Sequence, residues 1–446
     1  MRISVIGLGK LGSPLAAVLA DKGHEVVGVD VDERAIAALN DGRSPVDESG
    51  LQAVVDRART RLSATASHDE AIARSDATFV IVPTPSDADG TFSLGYVLDA
   101  VHKIGDALRH KRGRHIVVIT STVMPGATDG PIRAALEEHA GRPLGDDLGL
   151  CYSPEFIALG SVIADMLNPD FVLVGESSPW AGEQLAEIML GVCENQPPVV
   201  RMSIVDAELA KIAVNTFVTT KISYANMLAE ICEGLPGADV DVVTSAIGLD
   251  SRIGRKYLRG ATPYGGPCFP RDNIAFARLA RSLGGEADIA EATDRVNRRQ
   301  HERLARRVLD QLSRDGRIAI LGLSYKPGTA VVEESTGMGL AALLAEKGHT
   351  ATVYDPAGLE PARRALGDRA RYATGIENCV ADADVVVVAT AWSEFAALGD
   401  ILASAGRRPV VFDCWRMFKA EALETDVVHL GTGQKTDAAR QKQHRS

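Results

Sequence analysis

Short apolar runs alternate with longer amphipathic segments along the N-terminal part of the chain. The runs RISVI (2–6), HEVVGVD (24–30), ATFVIVP (77–83) and HIVVIT (115–120) read as buried strands. Between the first two lie a glycine turn, GLGKLG (7–12), and SPLAAVLADKG, which has an apolar helical face and a stop at Gly23. Strands that alternate with helices predict a parallel sheet covered by helices on both faces.

The pattern returns late in the chain. RISVIGLGKLG (2–12) is echoed by RIAILGLSYKPG (317–328), KGHEVVGVD (22–30) by KGHTATVYD (347–355), and SDATFVIVPT (75–84) by ADADVVVVAT (381–390). Three echoes in one order predict two α/β domains of one layout. Ser324 stands in the second copy where the first has Gly9, so the second is expected to bind something else.

Residues 201–300 read as helical. SIVDAELAKIAVNTFVTTKISYANMLAEICEG (203–234) is one amphipathic stretch that opens on a capping-box pair, Ser203 and Asp206, and stops at Gly234. At 1.5 Å per residue it would span roughly 45 Å, a length suited to bridging domains or pairing subunits. The fold class expected is therefore α/β, with two Rossmann-like doubly wound domains joined by a helical central domain containing one long helix. The domains expected are 1–200, 201–300 and 301–430, followed by a polar disordered tail over 431–446.

Composition narrows the classes. The formal charge of −11 argues against a nucleic-acid surface. No apolar run approaches the ~20 residues that a membrane span needs. MRISVIGLG runs straight into glycines and reads as a first strand rather than a secretory signal. The six cysteines, Cys151, Cys193, Cys232, Cys268, Cys379 and Cys414, include no C-x-x-C pair. That argues against a metal site and against a disulfide framework, and the compartment expected is the reducing cytoplasm.

The chemistry starts at the glycine turn. Gly7, Gly9 and Gly12 fit G-x-G-x-x-G after a strand and before a helix, and the second strand ends on Asp30, 18 positions past Gly12. Gly7 would make the turn, Gly9 would admit a pyrophosphate to the helix N-terminus, and Gly12 would let helix and strand pack closely. Asp30 would accept from a ribose 2′-hydroxyl and repel a 2′-phosphate, which favours NAD over NADP.

YGGPCFPRD (264–272) holds a thiol between two prolines just before the helical RDNIAFARLARSL. A helix N-terminus and Arg271 would favour the thiolate of Cys268, whereas a lone cysteine is more often structural. Lys211 and Asn215, four apart on the long helix, share a face among Ile212, Val214 and Phe217. They read either as an oxyanion-stabilising pair or as a polar stripe. In SPEF (153–156), Glu155 follows a strand-like LGLCY and is either an acid/base group or a first-turn helix acid. Ser121 and Thr122 in TSTVMPG (120–126) follow another strand end, where they would reach a ligand or form a turn.

Together these pieces resemble the UDP-glucose/GDP-mannose dehydrogenase family. The resemblance rests on GLGKLG, VPTP (82–85), STVMPG (121–126), SPEF, AKIAVNTF (210–217), RIGRKYL (252–258) with YGGPCFPRD, and GLSYKPGT (322–329), in that order. It implies NAD-dependent, four-electron oxidation of a nucleotide-sugar C6 alcohol to a uronate. Cys268 would pass through a thiohemiacetal and a thioester. Lys211 and Asn215 would hold the oxyanion, Asp272 and Thr122 would order water, and Glu155 would serve in acid/base work. The cofactor residues implied are Gly7, Gly9, Leu11, Gly12, Asp30, Thr84, Ser121 and Thr122. Substrate contacts implied are Glu155, Phe156, Lys211, Asn215, Tyr257, Leu258, Tyr264, Gly265, Tyr325 and Lys326. Arg252 would reach the substrate of a neighbouring protomer, in a homodimer formed through the central helix.

The chain departs from the family pattern at three places. Glu333 and Phe171 stand where arginine is usual, and DCWR (413–416) replaces a D-G-R-N type run. Two other readings stay open. One is a two-electron alcohol or hydroxy-acid dehydrogenase with a structural Cys268, and the other is a non-catalytic paralogue that binds NAD or a nucleotide-sugar.

Overall fold

The computed structural model describes residues 1–313, 315–419 and 423–433. The chain divides into two compact units, Met1–Ala213 and the remainder from Val214.

The first unit is built on an eight-stranded sheet. Its strands are β1 (Arg2–Ile6), β2 (Glu25–Val29), β3 (Leu62–Thr65), β4 (Ala77–Val80), β5 (His115–Ile119), β6 (Leu148–Tyr152), β7 (Val172–Glu176) and β8 (Val199–Met202). The order is β3-β2-β1-β4-β5-β6-β7-β8. Successive strand residues face opposite cores: Ile3, Val5, Phe79, Ile116 and Val118 pack on one side, and Ile6, Val80, Val117 and Ile119 on the other. Both faces are therefore apolar, which is why the strands appear in the sequence as unbroken hydrophobic runs. One pair departs from the expected parallel layout. β6 and β7 run antiparallel, joined only through Cys151 with Glu176 and Tyr152 with Gly175.

The second unit holds a six-stranded sheet: β9 (Ile318–Leu321), β10 (Ala351–Tyr354), β11 (Ala370–Tyr372), β12 (Val385–Val388), β13 (Val410–Asp413) and β14 (Val427–His429). Its order, β11-β10-β9-β12-β13-β14, repeats the 3-2-1-4-5-6 winding of a dinucleotide fold. The echo in the sequence is thus an echo in topology. The central stretch between the sheets is helical, as expected.

The long helix runs Ile204–Glu233, 30 residues. Ser203 Oγ accepts the Asp206 N–H at 3.2 Å and bonds the Asp206 carboxylate at 2.7 Å, which is the capping expected of that pair. Residues 431–433, counted with the tail from sequence, are tied down instead. The Gly431 N–H donates to Glu233 Oε1 at 2.7 Å, and the Val240 N–H donates to the Gly431 carbonyl at 2.9 Å. Residues 434–446 lie outside the described residues. Among the described residues no helix is long and apolar enough to cross a membrane.

Candidate active site

The cofactor loop shows what each glycine is for. Gly7 has φ +99°, and a Cβ there would lie 2.6 Å from the Ile81 carbonyl oxygen. At Gly12 a Cβ would lie 1.8 Å from the Gly7 carbonyl oxygen, so nothing larger than glycine fits between loop and helix. Gly9 differs: nothing lies within 4 Å of where its Cβ would be. That open space, at the start of the helix Gly12–Asp21, fits a pyrophosphate on the backbone amides.

Asp30 stands just past β2. Its carboxylate accepts the Leu8 N–H at 2.6 Å and the Asp32 N–H at 2.8 Å, which aims the acid at the loop. Thr84 and Ser121 follow β4 and β5. The Thr84 hydroxyl donates to the Thr122 carbonyl at 2.8 Å, and the Ser121 hydroxyl donates to the Val82 carbonyl at 2.7 Å. Gly7, Gly9, Leu11, Gly12, Asp30, Thr84, Ser121 and Thr122 therefore share the carboxyl edge of one sheet. They surround the point between β1 and β4 where the winding reverses.

The second sheet has closed the equivalent acid. Asp355 is buried and accepts from the Leu323, Ser324, Ala357 and Gly358 amides, the Ser324 hydroxyl and the Trp392 indole. Its oxygens are filled from within, with no place for a ribose. Ser324, which stands where the first sheet's loop has Gly9, is one of the donors.

Glu155 follows β6 in the first unit. Burial pushes its carboxyl from the ordinary 4.5 up to about 7, against the pull of the Lys211 ammonium. Lys211 is buried, donates to the Glu155 carbonyl, and sits 4.6 Å from the centre of the Phe156 ring. Phe171 packs on Phe156, with ring centres 4.8 Å apart.

In the second unit, Cys268 caps the helix Phe269–Ser282, which starts one residue before the proline that marks it in the sequence. Cys268 is exposed, whereas Cys151, Cys232, Cys379 and Cys414 are buried. Burial pushes the thiols of Cys151, Cys379 and Cys414 up to about 12, so none of these three is suited to act as a thiolate. One turn on, Asp272 is 1% exposed and accepts from Asn215 Nδ2 at 2.6 Å. Arg271 Nε lies 3.6 Å from the same carboxylate.

The glycines before Cys268 lie against the segment that carries Tyr325 and Glu334. A Cβ on Gly265 would lie 2.0 Å from the Glu334 carbonyl oxygen, and one on Gly266 (φ +82°) would lie 2.8 Å from the Tyr325 ring. The Gly266 N–H donates to the Glu333 carbonyl at 3.0 Å. Glu334 adopts φ +51°, a left-handed backbone without glycine. The segment carrying Tyr325 and Lys326 thus borders the segment carrying Cys268.

Other candidates take less obvious places. Leu258 is buried, and Tyr257 is half exposed at φ +63°. Arg252 forms a two-pronged pair with Asp250 at the surface. The Tyr264 hydroxyl is taken up by Asp294 and by Asn273 Nδ2. Phe217, expected to shield Lys211 and Asn215, is exposed, and the buried neighbour is Ile212.

Two positions escaped the sequence reading. Glu208 is fully buried and accepts the Gly126 and Thr128 amides at 2.6 and 2.8 Å, fixing the loop that carries Thr122. Its signal was a carboxylate three residues before Lys211 in an apolar helical pattern. Asn297 holds Tyr264 by its backbone.

The chain is similar to known proteins over most of its length. Residues 1–190 match the NAD binding domain of the UDP-glucose/GDP-mannose dehydrogenase family, 205–299 its central domain and 319–420 its UDP binding domain. The UDP-glucose 6-dehydrogenase of Haloferax volcanii is 41% identical over 93% of this chain and 96% of its own. The GDP-mannose 6-dehydrogenase of Azotobacter vinelandii is 33% identical over 89% of this chain and 92% of its own. A solved UDP-glucose dehydrogenase from Pyrobaculum islandicum superposes with a TM-score of 0.86 at 37% identity, covering 97% of this chain and 98% of that one.

The chain belongs to the UDP-glucose/GDP-mannose dehydrogenase family. It is an NAD-dependent nucleotide-sugar 6-dehydrogenase. Its departures from the family pattern have structural roles. Phe171, in place of an arginine, supports the ring on which the Lys211 ammonium rests. Glu333 is exposed and contributes through its carbonyl to the glycine segment. In DCWR, Arg416 adopts φ +55° and donates to both oxygens of Asp239, at 2.9 and 2.8 Å, and to the Leu430 carbonyl. This dehydrogenase uses that arginine as a brace between the start of the helix Val240–Ile247 and the chain after β14.

Proposed function

We propose that this dehydrogenase oxidises the C6 alcohol of UDP-glucose to the carboxylate of a UDP-uronate, through a covalent adduct on Cys268. The observation that carries the reading is Cys268 itself. It is an exposed thiol at the N-cap of a 14-residue helix, behind two glycines that leave no room for a side chain. A helix N-terminus favours the anionic form of a group placed there. The UDP binding domain match and the UDP-glucose relatives support the nucleotide and the sugar.

Two NAD⁺, bound one after the other, would supply the hydride acceptors of the two oxidations. The thiolate of Cys268 attacks the C6 aldehyde left by the first, which retains it as a thiohemiacetal. The second oxidation leaves a thioester, and water releases the acid. Lys211 and Asn215 supply donors to the oxyanion, and Asp272 keeps the Asn215 amide oriented. Glu155, whose carboxyl lies near neutrality, is suited to moving a proton during hydrolysis. Thr122 orders the attacking water.

We further propose a homodimer formed through the long helix. Phe217, Tyr224 and Ile231 recur every seven residues as exposed apolar side chains on one stripe of it.

The test is NADH formation on UDP-glucose, UDP-N-acetylhexosamines and GDP-mannose, with Cys268→Ser alongside. UDP-glucose turnover that vanishes in the variant supports the reading. Turnover of GDP-mannose alone, or parental activity without the thiol, overturns it.

A further inference from the structure

Tyr264 stands four residues before Cys268 and is anchored through its backbone and its side chain. Asn297, on the helix Asp288–Asp310, is 7% exposed. Its Oδ1 accepts the Tyr264 N–H at 2.8 Å, and its Nδ2 donates to the Tyr264 carbonyl at 2.9 Å. One primary amide thus satisfies both peptide groups of a residue, as a neighbouring strand would. The Tyr264 hydroxyl donates to Asp294 on the same helix and accepts from Asn273 Nδ2 at 2.9 Å. Asn273 belongs to the helix that Cys268 caps.

From Tyr264 to the thiol the chain has little room to move. Gly265 lies against the Glu334 carbonyl, Gly266 is bonded to the Glu333 carbonyl, and Pro267 has a fixed φ. The orientation of the Tyr264 peptide therefore propagates to Cys268. Removing the Asn297 amide would leave a buried N–H and a buried C=O without partners, and the segment would shift to solvate them.

We propose that Asn297 is a positioning residue for Cys268, acting through the Tyr264 peptide to hold the sulfur at attack distance from C6. The proposal rests on the reading of Cys268 as the nucleophile. Covalent attack requires the reacting atoms about 3–3.5 Å apart, and a displacement of about 1 Å costs on the order of 10²-fold in rate. Substrate affinity depends on many other contacts and should change far less.

The experiment uses the full chain with Asn297→Ala and Asn297→Asp. The aspartate variant is near-isosteric. It keeps the acceptor for the Tyr264 N–H and loses the donor to the Tyr264 carbonyl, so it carries the test should the alanine variant fail to fold. Steady-state turnover of UDP-glucose is measured beside the rate of Cys268 carbamidomethylation by iodoacetamide across pH 6–9, read by peptide mass. The expected result is a kcat lower by about tenfold or more, KM values within about threefold of the parent, and an altered rate and pH profile of Cys268 alkylation. Parental kcat with parental alkylation overturns the proposal, as does a fall in kcat with alkylation unchanged. If Cys268→Ser turns over at the parental rate, the nucleophile reading fails, and the alkylation arm still decides whether Asn297 positions the thiol.

Discussion

Asn215 Nδ2 donates to Asp272 Oδ2 across 2.6 Å, joining the long helix to the helix that Cys268 caps. Asp272 is 1% exposed, and a donor to a buried carboxylate is costly to lose. Asn215→Asp would set two carboxylates at hydrogen-bond distance, and one would have to take up a proton. The expected outcome is a kcat lower by on the order of 10²-fold at pH 8, with partial recovery at pH 6. A pH–kcat series on the folded variant checks it, and a loss that does not depend on pH would speak against the pairing.

Glu155 offers a second pH signature. Its carboxyl is raised from 4.5 to about 7 by burial, so the folded chain holds this proton more tightly than the unfolded chain. The raised value costs stability as pH rises from about 4.5 to about 7, and the full cost is present above that window. Glu155→Gln removes the charge. Its thermal midpoint should gain on the parent between pH 5 and pH 8, while its kcat loses the limb near neutrality. Paired melting curves at the two pH values decide this, and a constant offset would contradict it.

The glycine turn separates binding from folding. Gly9→Ala meets no atom within 4 Å, so the variant should fold with an unchanged midpoint, yet its methyl stands where the pyrophosphate approaches. NAD affinity should fall by about tenfold or more, read by fluorescence titration. Gly12→Ala would put its Cβ 1.8 Å from the Gly7 carbonyl oxygen, so it should lose stability together with binding. Equal effects on stability from the two substitutions would contradict the assignment.

Much of the frame was legible in the sequence because it rests on local patterns. RISVI, the glycine turn and the acid at Asp30 are contiguous signals with one physical meaning each, and the structure places them together. The repeat was visible for the same reason, since a strand buried on both faces cannot hide its apolar run. What stayed hidden depends on distant partners. Asn297 and Glu208 look like ordinary polar positions on helices, and only Tyr264 and the Gly126–Thr128 amides give them meaning. The antiparallel β6–β7 pair leaves no local mark, because strand direction is set by the connection rather than by strand composition. The closeness of Gly265 to Glu334 was suggested only by the glycine, which signals a close approach without naming the neighbour.

On the proposed mechanism, Cys268 holds the sugar between two oxidations. The direct measurement is the number of NADH formed per UDP-sugar consumed, with the protein-bound sugar analysed by mass after rapid acid quenching. The expected result is two NADH per uronate, a sugar adduct on the Cys268 peptide during turnover, and loss of both in Cys268→Ser. One NADH per sugar, with an aldehyde product and undiminished turnover in Cys268→Ser, would contradict it.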